Sequence, residues 1–283
     1  MPRRHPDWLK VSIPGGKNYA YVTSRLKKYG LNTVCSQARC PNLAECYGSR
    51  TATFLLLGTT CTRGCRYCNI GSGRPLPPDE HEPEHVARAV ADLGLRYVVI
   101  TSVTRDDLPD GGAGRFAHTV REIRRINPDI GIELLIPDFK GSHRALLTVI
   151  HSRPLVLAHN IEVARALFRR LRPRGNYGRS LRMLSRIRRI DPGITVKSGF
   201  MIGLGETITQ VKQTLGDLKR HGVQVVSMGQ YLQPGKEHPP VRHYYTPGDF
   251  RMLKEYALGL GFGHVEASPL TRSSYHAEHA LCV

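Results

Sequence analysis

The stretch TCTRGCRYCNI, residues 60–70, sets Cys61, Cys65 and Cys68 in a C-x3-C-x2-C spacing directly after an apolar run at 53–57. Thiolates this dense are metal ligands before they are anything else. A closed structural zinc site takes four ligands, often as two C-x2-C pairs, so zinc here would need a distant fourth residue. Three cysteines on one loop suit a cubane iron–sulfur cluster better. Such a cluster keeps one iron free of protein, and that iron can accept a small molecule.

A second triplet, Cys35, Cys40 and Cys46, follows a C-x4-C-x5-C spacing and is again one ligand short. Because the first triplet already occupies its own loop, two incomplete sets call for two clusters. The second could carry electrons, anchor a substrate or give up sulfide, and spacing alone does not choose. Cys282, the seventh cysteine, lies far from both groups and is read as incidental. The opening segment MPRRHPDWLKVSIPGG has no apolar stretch of the secretory kind, so a cytoplasmic location is expected. That compartment keeps thiols reduced, which argues against a disulfide framework.

The cysteine loops need a scaffold. Strand-like apolar runs recur at 53–57, 97–101, 130–136, 155–158, 195–200 and 223–227. Helical periodicity fills the intervals at 82–93, 114–126, 141–150, 162–190 (two helices) and 207–220, with further helices at 18–30 and 247–259. Continuous rather than alternating apolar strands predict a parallel sheet covered by helices. Polar or glycine-bearing strings follow each strand: GTTCTRGC, TSVTRDDLPDGG, IPDF, HNIE, GFMIGLGE and GQYLQP. Sites of parallel β/α folds lie at these C-terminal strand ends. Six loaded ends in succession predict an α/β partial (β/α)6 barrel around one cavity, its open side covered by N- and C-terminal extensions. The expected division is 1–50 for the extension bearing the second triplet, 51–245 for the barrel and 246–283 for the returning helix and tail.

The formal charge is +18, and residues 165–189 carry ten arginines with no acidic residue among them. A basic surface of this size attracts acidic partners. The arginines come with no aromatic interleaving and no GXXG loop, so stable nucleic-acid binding is not expected. No apolar run is long enough to span a membrane.

The CTRGCRYC string at 61–68 resembles the signature of the radical S-adenosylmethionine (radical SAM) superfamily. CSQARCPNLAEC, TSVTRDDLPDGGA, LLIPDF, HNIE, KSGFMIGLGE, GQYLQP and RSSYHA then resemble the lipoyl synthase family, in that family's order and over nearly the whole chain. The resemblance implies a radical sulfurtransferase with two 4Fe–4S clusters and S-adenosyl-L-methionine. Cys61, Cys65 and Cys68 would hold the cofactor-cleaving cluster, with Tyr67 beside the adenine. Asn160 and Glu162 would meet the ribose hydroxyls or the methionine amine and carboxylate. Gly203 and Glu206 would belong to the adenine-contacting glycine-rich segment, and Asp106, Lys197 and Ser198 are weaker candidates for the same cofactor. Cys35, Cys40 and Cys46 would hold an auxiliary cluster completed by a serine of Arg272-Ser273-Ser274-Tyr275. Ser274 is taken as that ligand, with Ser273 the alternative, and Arg272 as its basic neighbour. His276 and His279 resemble a zinc pair by type, but their place beside this motif favours a supporting or surface role.

On this resemblance, sulfur from the auxiliary cluster enters C6 and C8 of an octanoyl group attached to a carrier lysine. The absence of a convincing catalytic triad or paired-carboxylate site agrees with attack on unactivated C–H bonds. The implied partners are octanoylated lipoyl carrier domains or H protein, an electron donor such as ferredoxin or flavodoxin, and an iron–sulfur carrier that rebuilds the auxiliary cluster. Pro239 and the ASPL string at 267–270 depart from the family's usual pattern and touch no expected ligand. A methylthiolating RNA modifier would need an appended RNA-binding domain, for which no residues are left. A simple electron carrier would need neither open iron nor six loaded strand ends.

Overall fold

The computed structural model describes residues 6–277. Helix α1 (Lys17–Lys28) is followed by the short strand β1 (Asn32–Thr33) and two small helices, α2 (Val34–Gln37) and α3 (Leu43–Gly48). Next come β2 (Thr53–Leu56), a minor pair β3 (Thr60–Cys61) and β4 (Gly71–Ser72), α4 (Glu82–Leu93), β5 (Tyr97–Ser102) and α5 (Ala113–Ile126). The alternation continues through β6 (Gly131–Leu135), α6 (His143–His151), β7 (Val156–Ala158), α7 (Arg165–Leu171), α8 (Tyr177–Ile190), β8 (Thr195–Ile202), α9 (Ile208–Arg220) and β9 (Val225–Gln230). Helix α10 (Pro247–Gly259) and strand β10 (His264–Ala267) close the described chain.

Six strands, β2 and β5 to β9, run parallel in sequence order, as the six apolar runs predict. Every residue of β2 and of β9 is buried, which is why neither shows polar alternation. The sheet has two further members: β1 lies antiparallel along β2, and β10 lies parallel along β9. With these two the sheet has eight strands. Strands β1 and β10 are its two edges and are not paired with each other, so the barrel is partial.

Local signals fix the helices. Thr207 with Gln210 and Thr246 with Asp249 form reciprocal capping boxes at the starts of α9 and α10. Gly94 ends α4 in the left-handed region, at φ 67°. The expected pair within 162–190 appears as α7 and α8, broken at Pro173. Helices α2 and α3, which carry Cys35 and Cys46 with Cys40 between them, have no periodic signal long enough to read. The first is set by Thr33, whose hydroxyl accepts from the Ser36 amide at 3.2 Å.

The barrel interior is not wholly apolar. Glu133 on β6 and Lys197 on β8 reach across β7 to form an ion pair at 2.9 Å, with side-chain exposures of 1% and 4%. The Tyr97 hydroxyl donates to the same carboxylate at 2.9 Å. Removing one partner of a buried pair strands the other charge, so Lys197→Met is expected to lower unfolding free energy by ~3–5 kcal/mol in urea denaturation. The Glu133→Leu/Lys197→Met double variant is expected to recover most of that loss.

Candidate functional site

The strand ends open into one chamber of about 520 Å³. Both cysteine triplets contribute to it: Cys35 and Cys40 from the extension, and Cys61, Cys65 and Cys68 from the loop after β2. Cys46 does not line the wall but lies close enough to Cys35 and Cys40 that a thiolate on either would raise its thiol further. Ser273, Ser274 and Arg272 also line the chamber. Burial pushes the thiol of Cys35 up to about 11 and those of Cys46 and Cys68 up to about 12. These groups are therefore thiols near neutral pH, and ligation to iron would release their protons.

Among the described residues, no three Cys, His, Asp or Glu side chains converge closely enough to hold a single metal ion. Five of the six thiols line one cavity instead. That arrangement fits a multi-iron cluster, in which each thiolate takes a different iron.

The first triplet is held by a buried guanidinium. Arg63, two residues from both Cys61 and Cys65, donates to Asp106 at 2.7 and 2.9 Å and to Asp138 at 2.7 Å. Arg179 approaches the other oxygen of Asp138 at 2.7 Å. Burial alone would raise the Asp138 carboxyl, but the Arg63 hydrogen bond and charge outweigh it and hold the group well below the usual carboxylate range. The same contacts tie the cysteine loop to the ends of β5 and β6.

Tyr67, within the first cysteine loop, is buried, and Asn160 and Glu162 line the chamber after β7. Glu162 adopts φ 71°, a left-handed conformation rare for glutamate. It is held there by its amide donating to Gly199 O at 3.0 Å and its carbonyl accepting from the Met201 amide at 2.8 Å. Burial raises the Glu162 carboxyl, an effect opposed by Arg172. Arg172 sits in the chamber wall and donates to Asn160 O at 3.0 Å. The arginine-rich reading of 165–189 missed this residue. The available signal was an arginine directly before Pro173, at the break between two helices rather than on a helix face.

Asn160 Oδ1 and Ser102 Oγ are buried in this wall without hydrogen-bond partners. At Gly199 any Cβ would collide with Ser227 Oγ. Unmet polar atoms beside a wall that a side chain would fill suit a ligand rich in hydroxyl and amine groups, and S-adenosyl-L-methionine is such a ligand.

The remaining expected residues lie elsewhere. Lys197 is engaged below the chamber with Glu133, and Ser198 Oγ accepts from the Ile161 amide at 3.3 Å. Asp106 is committed to Arg63. Glu206 accepts from the amides of Gly203 and Leu204, so GLGE folds on its own carboxylate. Gly203 has φ 109° and packs where a Cβ would strike Gln230, which only glycine permits. These residues shape the neighbouring turn without lining the chamber. Cys282 and His279 lie outside the described residues, and His276 approaches Glu45 at 3.6 Å.

The tail returns over the end of β9. A Cβ at Gly229 would collide with the Thr271 carbonyl. Asn42 donates to Leu270 O at 2.8 Å, and the Tyr275 hydroxyl donates to Glu45 at 2.8 Å, joining the tail to the extension.

A family model of the radical SAM superfamily matches residues 55–218, and one of the N-terminal domain of lipoyl synthase matches residues 2–40. A lipoyl synthase of Roseiflexus sp. (strain RS-1) is 53% identical over 274 residues, covering 97% of this chain and 91% of that one. The lipoyl synthase of Rubrobacter xylanophilus is 50% identical, covering 96% and 85%. Among solved structures, methylornithine synthase (PylB) aligns with a TM-score of 0.54 at 15% identity, over 87% of this chain and 81% of that one. Streptococcus suis SuiB bound to S-adenosylmethionine gives 0.58 at 11%, over 90% and 58%. At these identities the structural likeness is one of fold, the partial (β/α)6 barrel.

Two substitutions probe this geometry. Asp138→Asn is expected to destabilise the protein by ~3 kcal/mol at neutral pH. Because the folded carboxyl titrates below its unfolded value, its contribution is complete above ~pH 4 and fades as pH falls through the folded value. The difference between wild type and variant should therefore shrink in acid, as read by thermal or urea unfolding. Gly229→Ala is expected to displace the tail and lower iron after reconstitution from about eight to about four atoms per chain.

Proposed function

The chain belongs to the lipoyl synthase family of the radical SAM superfamily, and on that premise we propose how its own residues divide the insertion of two sulfur atoms, at C6 and C8, into a protein-bound octanoyl group. The observation that carries this reading is that the whole first triplet, Cys35 and Cys40 of the second, and the serine-bearing tail open into one chamber. Cys61, Cys65 and Cys68 hold the cluster that binds S-adenosyl-L-methionine, while Cys35, Cys40, Cys46 and Ser274 hold the auxiliary cluster. When bound, these groups supply a carbon-centred radical that removes hydrogen atoms from the chain, and the sulfur that replaces them.

The protein's part is placement and exclusion of water. Tyr67 would lie beside the adenine, and the Asn160 and Glu162 side chains would take the cofactor's hydroxyl and amine groups. Arg172 places a fixed positive charge beside Glu162 and Cys65 and suits the cofactor's carboxylate. Val34, Leu55, Val103, Leu135 and Met201 give the chamber the apolar wall an acyl chain needs. Arg272, near Cys40, offsets negative charge on the auxiliary side. Gly203, Glu206, Lys197, Ser198 and Asp106 support this set by shaping the strand ends. The working division is an extension over 1–50, a barrel over 51–245 and a closing segment over 246–283.

The basic surface is assigned to acidic octanoylated carrier domains or H protein. A ferredoxin or flavodoxin supplies electrons, and an iron–sulfur carrier restores the auxiliary cluster. Cytoplasmic operation suits these partners. No helix among the described residues is long and apolar enough to cross a membrane.

The reading is tested by anaerobic reconstitution followed by incubation with reductant, S-adenosyl-L-methionine and an octanoylated carrier peptide. The expected product gains two sulfurs, with deoxyadenosine released. Ser274→Ala is expected to keep deoxyadenosine formation and lose at least about tenfold of the sulfur insertion, with Ser273→Ala near wild type. An unchanged peptide from fully loaded wild type would overturn the assignment, and the reverse serine pattern would move the ligand to Ser273.

A further inference from the structure

Three side-chain hydrogen bonds form a closed brace between the two cysteine segments. Asn69, the residue after Cys68, donates through Nδ2 to Gln37 O at 2.7 Å, and Gln37 lies between Cys35 and Cys40. His238 lies 3.1 Å through Nε2 from Cys68 O. Arg39, also between Cys35 and Cys40, donates to Pro234 O at 3.3 Å. The loop over 231–239 thus touches the first triplet at one end and the second at the other.

That loop is itself fixed. Gln233 Nε2 donates to Gly235 O at 3.0 Å and to His238 O at 2.9 Å, and the Tyr231 hydroxyl donates to Pro239 O at 2.9 Å. A carbonyl can only accept, so the contact with Cys68 O places a hydrogen on Nε2 of His238. The His238 side chain is 10% exposed, and its Nδ1 stands 3.1 Å from Glu237 without an aligned hydrogen bond. The ring's one directional commitment is therefore to the backbone of a ligating cysteine.

We propose that Asn69 and His238 are positioning residues that fix the separation of the two clusters, and with it the placement of the acyl carbon between radical source and sulfur source. The proposal rests on the two-cluster assignment above and goes beyond it. Neither residue is a ligand. Each acts through backbone next to ligands, on a reaction in which a misplacement of about 1 Å can cost about 10²-fold. Ordinary loop packing would also produce such bonds, but it would not make cluster separation depend on them.

The test uses the reconstituted full chain. Asn69→Asp keeps the shape and removes the donor, His238→Phe keeps a ring and removes the donor, and His238→Gln restores an N–H. Pulsed electron paramagnetic resonance reads the dipolar coupling between the two reduced clusters, and product analysis reads lipoyl formed per deoxyadenosine released. Asn69→Asp and His238→Phe are expected to alter the coupling and lower that ratio about tenfold. His238→Gln is expected to restore most of both. Coupling and ratio equal to wild type in both donor-less variants would overturn the proposal. A fall in iron from about eight to about four in either would also overturn it, since the residue would then serve ligation and not spacing. Wild type holding only one cluster would instead sink the two-cluster assignment beneath it.

Discussion

A guanidinium fork holds the site together. Arg63 stands between two cysteines of the first triplet, and its hydrogens are shared by Asp106 after β5 and Asp138 after β6. A short cysteine loop has little apolar surface with which to fix itself. Anchoring it to two adjacent strand ends makes its geometry a property of the sheet rather than of the loop. A buried ion pair need not add net stability, because desolvation offsets attraction. Here its value lies in direction: the fork admits one orientation of the loop, and the three thiols follow from it.

The second constraint is closure. Strands β1 and β10 end the sheet without meeting, and the extension and tail meet across the chamber instead, through Asn42 with Leu270 and Glu45 with Tyr275. The cavity is thus walled on one side by strand ends and on the other by two segments from opposite parts of the sequence. An apolar, enclosed chamber is what an acyl chain and a reactive carbon radical both require, since water competes for one and quenches selectivity in the other.

The parallel core was readable because buried strands print as unbroken apolar runs with periodic helical segments between them. The six runs at 53–57 through 223–227 all became strands. Cysteine spacing marked both triplets, and HNIE marked Asn160 and Glu162. What escaped had no local period. Helices α2 and α3 are too short to show one. Arg172 was hidden within a run of arginines whose other members are largely solvent-facing, and only its tertiary position separates it from them. Lys197 and Glu206 read as cofactor contacts because they share strings with residues that line the chamber. Lys197 shares a strand face with Gly199 and Met201 but lies deeper in the barrel, where its ammonium meets Glu133, and the Glu206 carboxylate caps its own turn.

The bond between Asn42 and Leu270 joins residues 228 positions apart. During translation the extension emerges early with its three thiols, and the whole barrel must be made before the segment that covers them exists. The nascent chain therefore passes through a long interval with an unroofed, cysteine-rich half-site. Oxidation or capture by stray metal is most dangerous in that interval.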